Sequence, residues 1–112
     1  MNRRLCLITG ASAGIGAEFA RQYAVLGWDL ALTARRKDRL EALAAELEST
    51  HGISVIPIVQ DLARANSVDK ILGALADQGR HVDALVNNAG YGLPGTFFNT
   101  DWKEQAAFIR VL

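Results

Sequence analysis

Short apolar runs alternate with amphipathic stretches from the first residues onward. Leu5 to Ile8 is continuously apolar and predicts a buried strand. A glycine-rich turn from Gly10 to Gly16 follows. Phe19, Tyr23 and Leu26 then fall on one face of a helix that Gly27 can stop. Leu30 to Thr33 predicts a second strand, and Leu40, Leu43, Ala44 and Leu47 carry helical spacing up to His51-Gly52. Ile53 to Val59 is rich in β-branched residues and predicts a third strand, with Pro57 predicting an irregularity in its ladder. Val68, Ile71, Leu72 and Leu75 form a helical stripe, with Ser67 as its N-cap and Gly79 beyond its end. Ala84-Leu85-Val86 predicts a fourth strand, and Tyr91-Gly92-Leu93-Pro94-Gly95 a loop. Asp101 with Glu104 predicts a capping box that opens a last helix, still running at Leu112.

The order is βαβαβαβα. Strands separated by helices are parallel and joined by right-handed crossovers, which place helices on both faces of one sheet. The expected class is α/β, a doubly wound parallel sheet, incomplete, with residues 1–112 as part of a single domain. No repeat period, low-complexity tract or linker divides the chain.

Composition narrows the partners. Twelve basic and 12 acidic side chains balance to a formal net charge of +0, which leaves no electrostatic footprint for nucleic acid or an acidic membrane. The 1 cysteine cannot form an internal disulfide and favours a reducing compartment. Cys6 sits inside the first apolar run and reads as a buried, inert thiol. Asn2-Arg3-Arg4 before that run resembles the start of a signal peptide, but the run ends at Thr9-Gly10, short of the roughly seven apolar residues such a core needs. No stretch approaches the roughly 20 apolar residues of a membrane span. The expectation is a soluble, cytoplasmic chain.

The candidate chemistry starts at Thr9-Gly10-Ala11-Ser12-Ala13-Gly14-Ile15-Gly16, directly after the first strand. One glycine allows the tight turn, a second lets a pyrophosphate lie against the backbone, and a third lets the helix pack close to the strand. The free N–H groups and positive end of the helix then face the anion. No Gly-Lys-Ser/Thr follows, so a P-loop is excluded. A cofactor with a free 2′-hydroxyl wants a carboxylate at the end of the second strand. Thr33-Ala34-Arg35-Arg36-Lys37 stands there instead, with no carboxylate before Asp38. Guanidinium groups suit a 2′-phosphate, and cations at a helix N-terminus oppose the macrodipole, so a merely solvated charge run is the poorer reading. This favours NADP(H) over NAD(H), with Arg35 as the phosphate contact and Arg36 on the phosphate or over the adenine. Asn87-Asn88-Ala89-Gly90, after the fourth strand, flanks the crevice where the strand order reverses. Its Asn side chains can bond backbone there, and Ala-Gly leaves room for a ribose.

These motifs resemble the short-chain dehydrogenase/reductase family: Thr9 to Gly16 matches its TGxxxGxG loop, Asn87 to Gly90 its NNAG motif, and Asp61-Leu62 the site of its adenine-contacting Asp. The resemblance covers nearly the whole chain and implies a Rossmann-type NAD(P)-binding domain. It implies a cofactor site of Gly10, Ser12, Ala13, Gly14, Ile15 and Gly16 on the pyrophosphate, Arg35 and Arg36 on the adenosine, and Asp61 and Leu62 on the adenine. Asn88, Ala89 and Gly90 then line the nicotinamide ribose, while Asn87 and Thr9 are structural. The family often carries a second basic residue at the position of Ala13, which this chain lacks.

The family's proton transfer needs a Tyr-x-x-x-Lys pair, an upstream Ser and a helical Asn. Tyr23 has Gly27 four residues on and Tyr91 has Gly95, so this sequence contains no such pair; the helical Asn is expected about where Leu112 stands. His51 and His81 read as solvated surface, and no residue is put forward as catalytic or metal-ligating. Tyr91 to Phe98 border the substrate pocket on this reading. The chain thus resembles the N-terminal half of a family member, with the outer edge of its fourth strand open. The expected parent is an NADP(H)-dependent oxidoreductase, a homo-oligomer acting on small carbonyls or alcohols, while the 112-residue chain by itself turns nothing over. The alternative is a non-catalytic nucleotide-binding or regulatory module. An S-adenosylmethionine-dependent methyltransferase also uses a glycine loop, but Ala34-Arg35-Arg36 replaces the acid it wants.

Overall fold

The computed structural model describes residues 3–11, 14–61, 66–88 and 108–111. Its elements are β1 (Leu5–Thr9), α1 (Gly14–Val25), β2 (Asp29–Ala34), α2 (Lys37–His51), β3 (Val55–Val59), α3 (Ser67–Asp77), β4 (Ala84–Asn87) and β5 (Phe108–Val111). They form a five-stranded sheet in the order β3-β2-β1-β4-β5. β1 pairs in parallel with both β2 and β4, and β2 with β3. The chain therefore winds outward from β1 to β3 and then jumps back across β1 to lay down β4. The carboxyl ends of β1 and β4 meet at that reversal, where ligands bind in such sheets.

Parallel strands covered on both faces are mainly apolar, and β1, β2 and β4 are buried at every residue, with polar side chains at Thr9, Asp29, Thr33 and Asn87 towards their ends. Alternation divides them between two cores. Cys6, Ile8, Leu30, Leu32, Ala34 and Val86 pack with Leu40, Leu43, Ala44 and Leu47 of α2 and with the alanines of α1. Leu5, Leu7, Ala31, Ile58 and Leu85 pack with Ile71 and Leu75 of α3.

Several local expectations shift. Leu26 lies past the end of α1 and is 71% exposed, while Phe19 and Tyr23 are only partly buried. The buried stripe of α1 is Gly16, Ala17, Ala20 and Ala24, because small side chains let this helix lie close to the sheet. Tyr23 instead meets Trp28 edge to face, 5.1 Å between ring centroids. In α3, Ile71 and Leu75 are buried but Leu72 is 42% exposed; the side chain of Val68 lies outside the described residues. Ser67 is not the N-cap. Asn66 takes that place without a side-chain cap bond, and Ser67 lies inside the first turn, its buried Oγ unpartnered. Gly27, Gly52 and Gly79 follow their helices with φ of 84°, 68° and 69°.

Pro57 causes no break. Leu32 pairs with Pro57 in an unbroken register from Leu30↔Val55 to Ala34↔Val59. Leu30 N–H donates to Ser54 and Gln60 N–H donates to Ala34, so even-numbered residues face β2. The nitrogen of Pro57 points to the free side of an edge strand, where no donor is needed.

The last predicted helix is the largest correction. Asp101 and Glu104 lie outside the described residues, but Phe108–Val111 is a strand, antiparallel to β4 from Asn87↔Phe108 to Ala84↔Val111. The outer edge of β4 presents unpaired backbone groups, and Phe-Ile-Arg-Val has the composition to satisfy them. That edge is consequently occupied rather than open. Among the described residues no helix is long and apolar enough to cross a membrane.

Candidate functional site

The reversal point is built around Thr9, the last residue of β1 and fully buried. Its Oγ1 donates to Asn87 Oδ1 at 2.7 Å and accepts from Asn88 N–H at 2.9 Å. Asn88 Nδ2 reaches the Gly10 carbonyl at 3.4 Å. One hydroxyl thus ties the end of β4 to the end of β1, and an amide ties it to the glycine turn. Asn87 is 1% exposed, whereas Asn88 is half-buried and borders the crevice.

Gly10 has φ +63° and Gly14 φ +60°, so the turn is shaped by conformations that side chains disfavour. Ala11 N–H donates to the Thr33 carbonyl at 3.2 Å, pinning the turn to the end of β2. Gly16 is required for a different reason: a Cβ there would run into the Gly10 carbonyl oxygen and stand 2.8 Å from Asn88 Nδ2. α1 therefore starts hard against the turn. It carries no acidic residue in its first turn, while α2 and α3 carry Asp38 and Asp69. Its positive end is therefore not offset by a carboxylate within that turn. Ile15 is 59% exposed beside it.

Arg35 and Arg36 follow the end of β2 and are both exposed. Arg36 is the N-cap of α2 but makes no side-chain cap bond. A cleft of about 300 Å³ opens beside them, lined by Arg35, Val59, Gln60, Asp61 and Lys70. Val59, Gln60 and Lys70 escaped the sequence reading. Only Lys70 carried a usable mark, since a cation in the first turn of a helix opposes the macrodipole as those before α2 do. Ser12, Ala13, Leu62, Ala89 and Gly90, and the segment from Tyr91 to Phe98, lie outside the described residues. Gly10, Gly14, Ile15, Gly16 and Asn88 converge at the reversal point, while Arg35 and Asp61 share the neighbouring cleft.

The arrangement can hold an extended anion by backbone N–H groups and cations. It offers no activated nucleophile among the described residues. The Cys6 thiol is fully buried in β1, and burial pushes its pKa up to about 12. Tyr23 is also raised, by burial first and then by its proximity to Cys6. His81 is 88% exposed at the other end of the sheet, with Nε2 3.3 Å from Asp83 Oδ1, and His51 ends α2. No cluster of three or more metal-ligating side chains occurs among the described residues.

Comparison with known proteins places this architecture. A serine 3-dehydrogenase from Agrobacterium fabrum is 47% identical over 88 residues, which cover 78% of this chain and 33% of that protein. A short-chain dehydrogenase from Sphingobium yanoikuyae, solved in complex with NADPH, superposes with a TM-score of 0.70 at 40% identity, over 89% of this chain and 39% of that one. An alcohol dehydrogenase from the archaeon Thermococcus sibiricus, complexed with 5-hydroxy-NADP, gives a TM-score of 0.75 at 38% identity, over 90% and 43%. The chain thus spans well under half the length of these relatives. The short chain dehydrogenase profile matches residues 4–111. With the glycine turn, the Thr9–Asn87 lock and the Rossmann-like sheet in place, the chain belongs to the short-chain dehydrogenase/reductase family of oxidoreductases.

Proposed function

We propose that this chain is the NADP(H)-holding segment of an oxidoreductase that interconverts small carbonyls and alcohols. The observation that carries the cofactor choice is the end of β2. Ala34 stands where a carboxylate would receive a free 2′-hydroxyl, and Arg35 and Arg36 after it are exposed with no ion pair among the described residues. Two solved relatives carry NADPH or 5-hydroxy-NADP, which supports the same reading.

The residues present fit the group. The cradle at Gly16 excludes a Cβ and keeps the start of α1 against Gly10, and backbone N–H groups from Ser12 to Gly16 bind the pyrophosphate there. Gly10 and Gly14 supply the turn that lets a phosphate approach the backbone. Arg35, with Arg36, binds the 2′-phosphate, and Asp61 and Leu62 position the adenine. Asn88, Ala89 and Gly90 bound the nicotinamide ribose, with Asn88 oriented through Thr9 and Gly10. When bound, the cofactor would supply the hydride for carbonyl reduction and accept it in alcohol oxidation. The chain's own residues bind and orient it, and the sequence contains no Tyr-x-x-x-Lys pair to move the substrate's proton.

Fluorescence titration of the 112-residue chain with NADPH and NADH tests this reading. NADPH should bind at least about tenfold more tightly than NADH, one guanidinium–phosphate contact's worth, and the paired substitution Arg35→Leu, Arg36→Leu should sharply reduce the difference. With ketones added, NADPH absorbance should stay flat. Failure to bind either nucleotide, or tighter binding of NADH, overturns the proposal.

A further inference from the structure

The cleft beside β2 contains a cation that the glycine turn and the arginine pair do not account for. Lys70 projects from the first turn of α3, on a different element from Arg35, yet both line the same space of about 300 Å³. Neither forms an ion pair among the described residues, although surface arginines elsewhere do, such as Arg21 with Glu18 and Glu46. Lys70 is also placed against local preference, since a positive charge in the first turn of a helix meets the positive end of the macrodipole. Arg35 and Lys70 bring two positive charges to one space against the single carboxylate of Asp61, so the lining keeps an excess of positive charge that a further anion would offset.

The cleft's chemistry specifies what that anion accompanies. Val59 is 41% exposed on the wall and offers an apolar surface to a flat ring, and Asp61 and Gln60 add polar groups beside it. Gln60 N–H donates to the Ala34 carbonyl at 3.1 Å, which fixes this wall to the strand end that carries Arg35. A ring against Val59 with a phosphate between two cations matches an adenosine bearing a phosphomonoester on its ribose.

We propose that Lys70 is a second cation for the adenosine 2′-phosphate, acting from α3 across the cleft from Arg35, and so a determinant of NADP(H) preference. The proposal rests on the NADP(H) reading and adds to it a residue on an element not otherwise involved. It supplies the second positive charge that Ala13 does not.

The test measures NADPH, NADH and adenosine 2′-monophosphate affinities for the unaltered chain, Lys70→Met, Lys70→Arg and Arg35→Leu. Lys70→Met should weaken NADPH and the 2′-monophosphate about fivefold to tenfold, as loss of one partly exposed charge-assisted contact does, and leave NADH within about twofold. Lys70→Arg should retain the preference. Equal weakening of NADPH and NADH by Lys70→Met, or no change in either, overturns the role of Lys70 while the unaltered chain still prefers NADPH. An unaltered chain with no preference for NADPH overturns the cofactor reading itself, and the Lys70 role with it.

Discussion

At the amino ends of the strands, Arg80 Nη1 and Asp29 Oδ2 meet at 3.0 Å with side chains 11% and 6% exposed. At the carboxyl ends, Arg35, Arg36 and Lys70 stand exposed with no ion pair among the described residues. Both ends have a cleft, about 230 Å³ at one and 300 Å³ at the other, and both clefts are rich in cations. Volume and charge type do not separate them. What differs is whether the chain itself consumes the bonding capacity of its polar groups.

At the amino end it does. Asp29 Oδ1 accepts from Ser54 N–H at 2.9 Å, Asp83 Oδ2 accepts from Leu5 N–H at 2.9 Å, and Arg80 Nη2 donates to the Arg3 carbonyl at 2.9 Å. These bonds tie together the starts of β1, β2 and β3, and the approach to β4. At the carboxyl end side-chain bonds join Thr9, Asn87, Asn88 and Gly10, while Arg35, Arg36 and Lys70 nearby make no ion pair among the described residues.

The largest expected break in this contrast is Asp29→Ala. It leaves the Arg80 guanidinium buried without its carboxylate and the Ser54 N–H without an acceptor, and should cost about 3–5 kcal/mol in urea unfolding. Nucleotide affinity measured on the folded fraction should not move. A loss under about 1 kcal/mol would mean that the amino end is not the structural end.

Thr9→Val should come next. It removes the hydroxyl that both Asn87 Oδ1 and Asn88 N–H use, at about 1–3 kcal/mol, without changing side-chain volume. Because it frees Asn88, it should also weaken NADPH and NADH alike, which separates it from the arginine substitutions that act on NADPH alone. Unchanged nucleotide binding with lowered stability would detach the lock from the site.

The smallest effect at neutral pH lies between the two ends, at Cys6. Its thiol stays protonated in the folded chain up to about 12, against an ordinary 9.0. Between those values the folded state holds a proton that the unfolded state has released, so stability falls as pH rises through that window, by at most about 1.4 kcal/mol per pH unit. Below pH 9 the contribution is constant. Cys6→Ala should flatten most of the slope in unfolding series from pH 7 to 10.5, with a remainder from Tyr23, whose pKa is also raised. An unchanged slope would assign the alkaline loss elsewhere.

Much of the fold was written in local patterns. The runs at Leu5, Leu30 and Ala84 are apolar because both sheet faces are covered, and the Leu40, Leu43, Ala44, Leu47 stripe is buried as its spacing predicts. The glycine turn was legible because positive φ at Gly10 and Gly14 and close packing at Gly16 each demand the absence of a side chain. Pattern misled where a residue's burial depended on a neighbour's size or position. The alanines of α1, not Leu26, face the sheet, since close approach favours small side chains.

Sequence order alone determined that strands would alternate with helices, that a glycine turn would follow the first strand, and that cations rather than a carboxylate would end the second. These depend on covalent neighbours and on the periods 2 and 3.6. Tertiary structure alone decided that Pro57 would sit harmlessly on an edge, that Phe108–Val111 would join β4 as a strand, and that Lys70 would share a cleft with Arg35. In each case the deciding factor was a partner distant in sequence. An unpaired strand edge or a cation across a cleft exists only after the sheet has brought separate elements together.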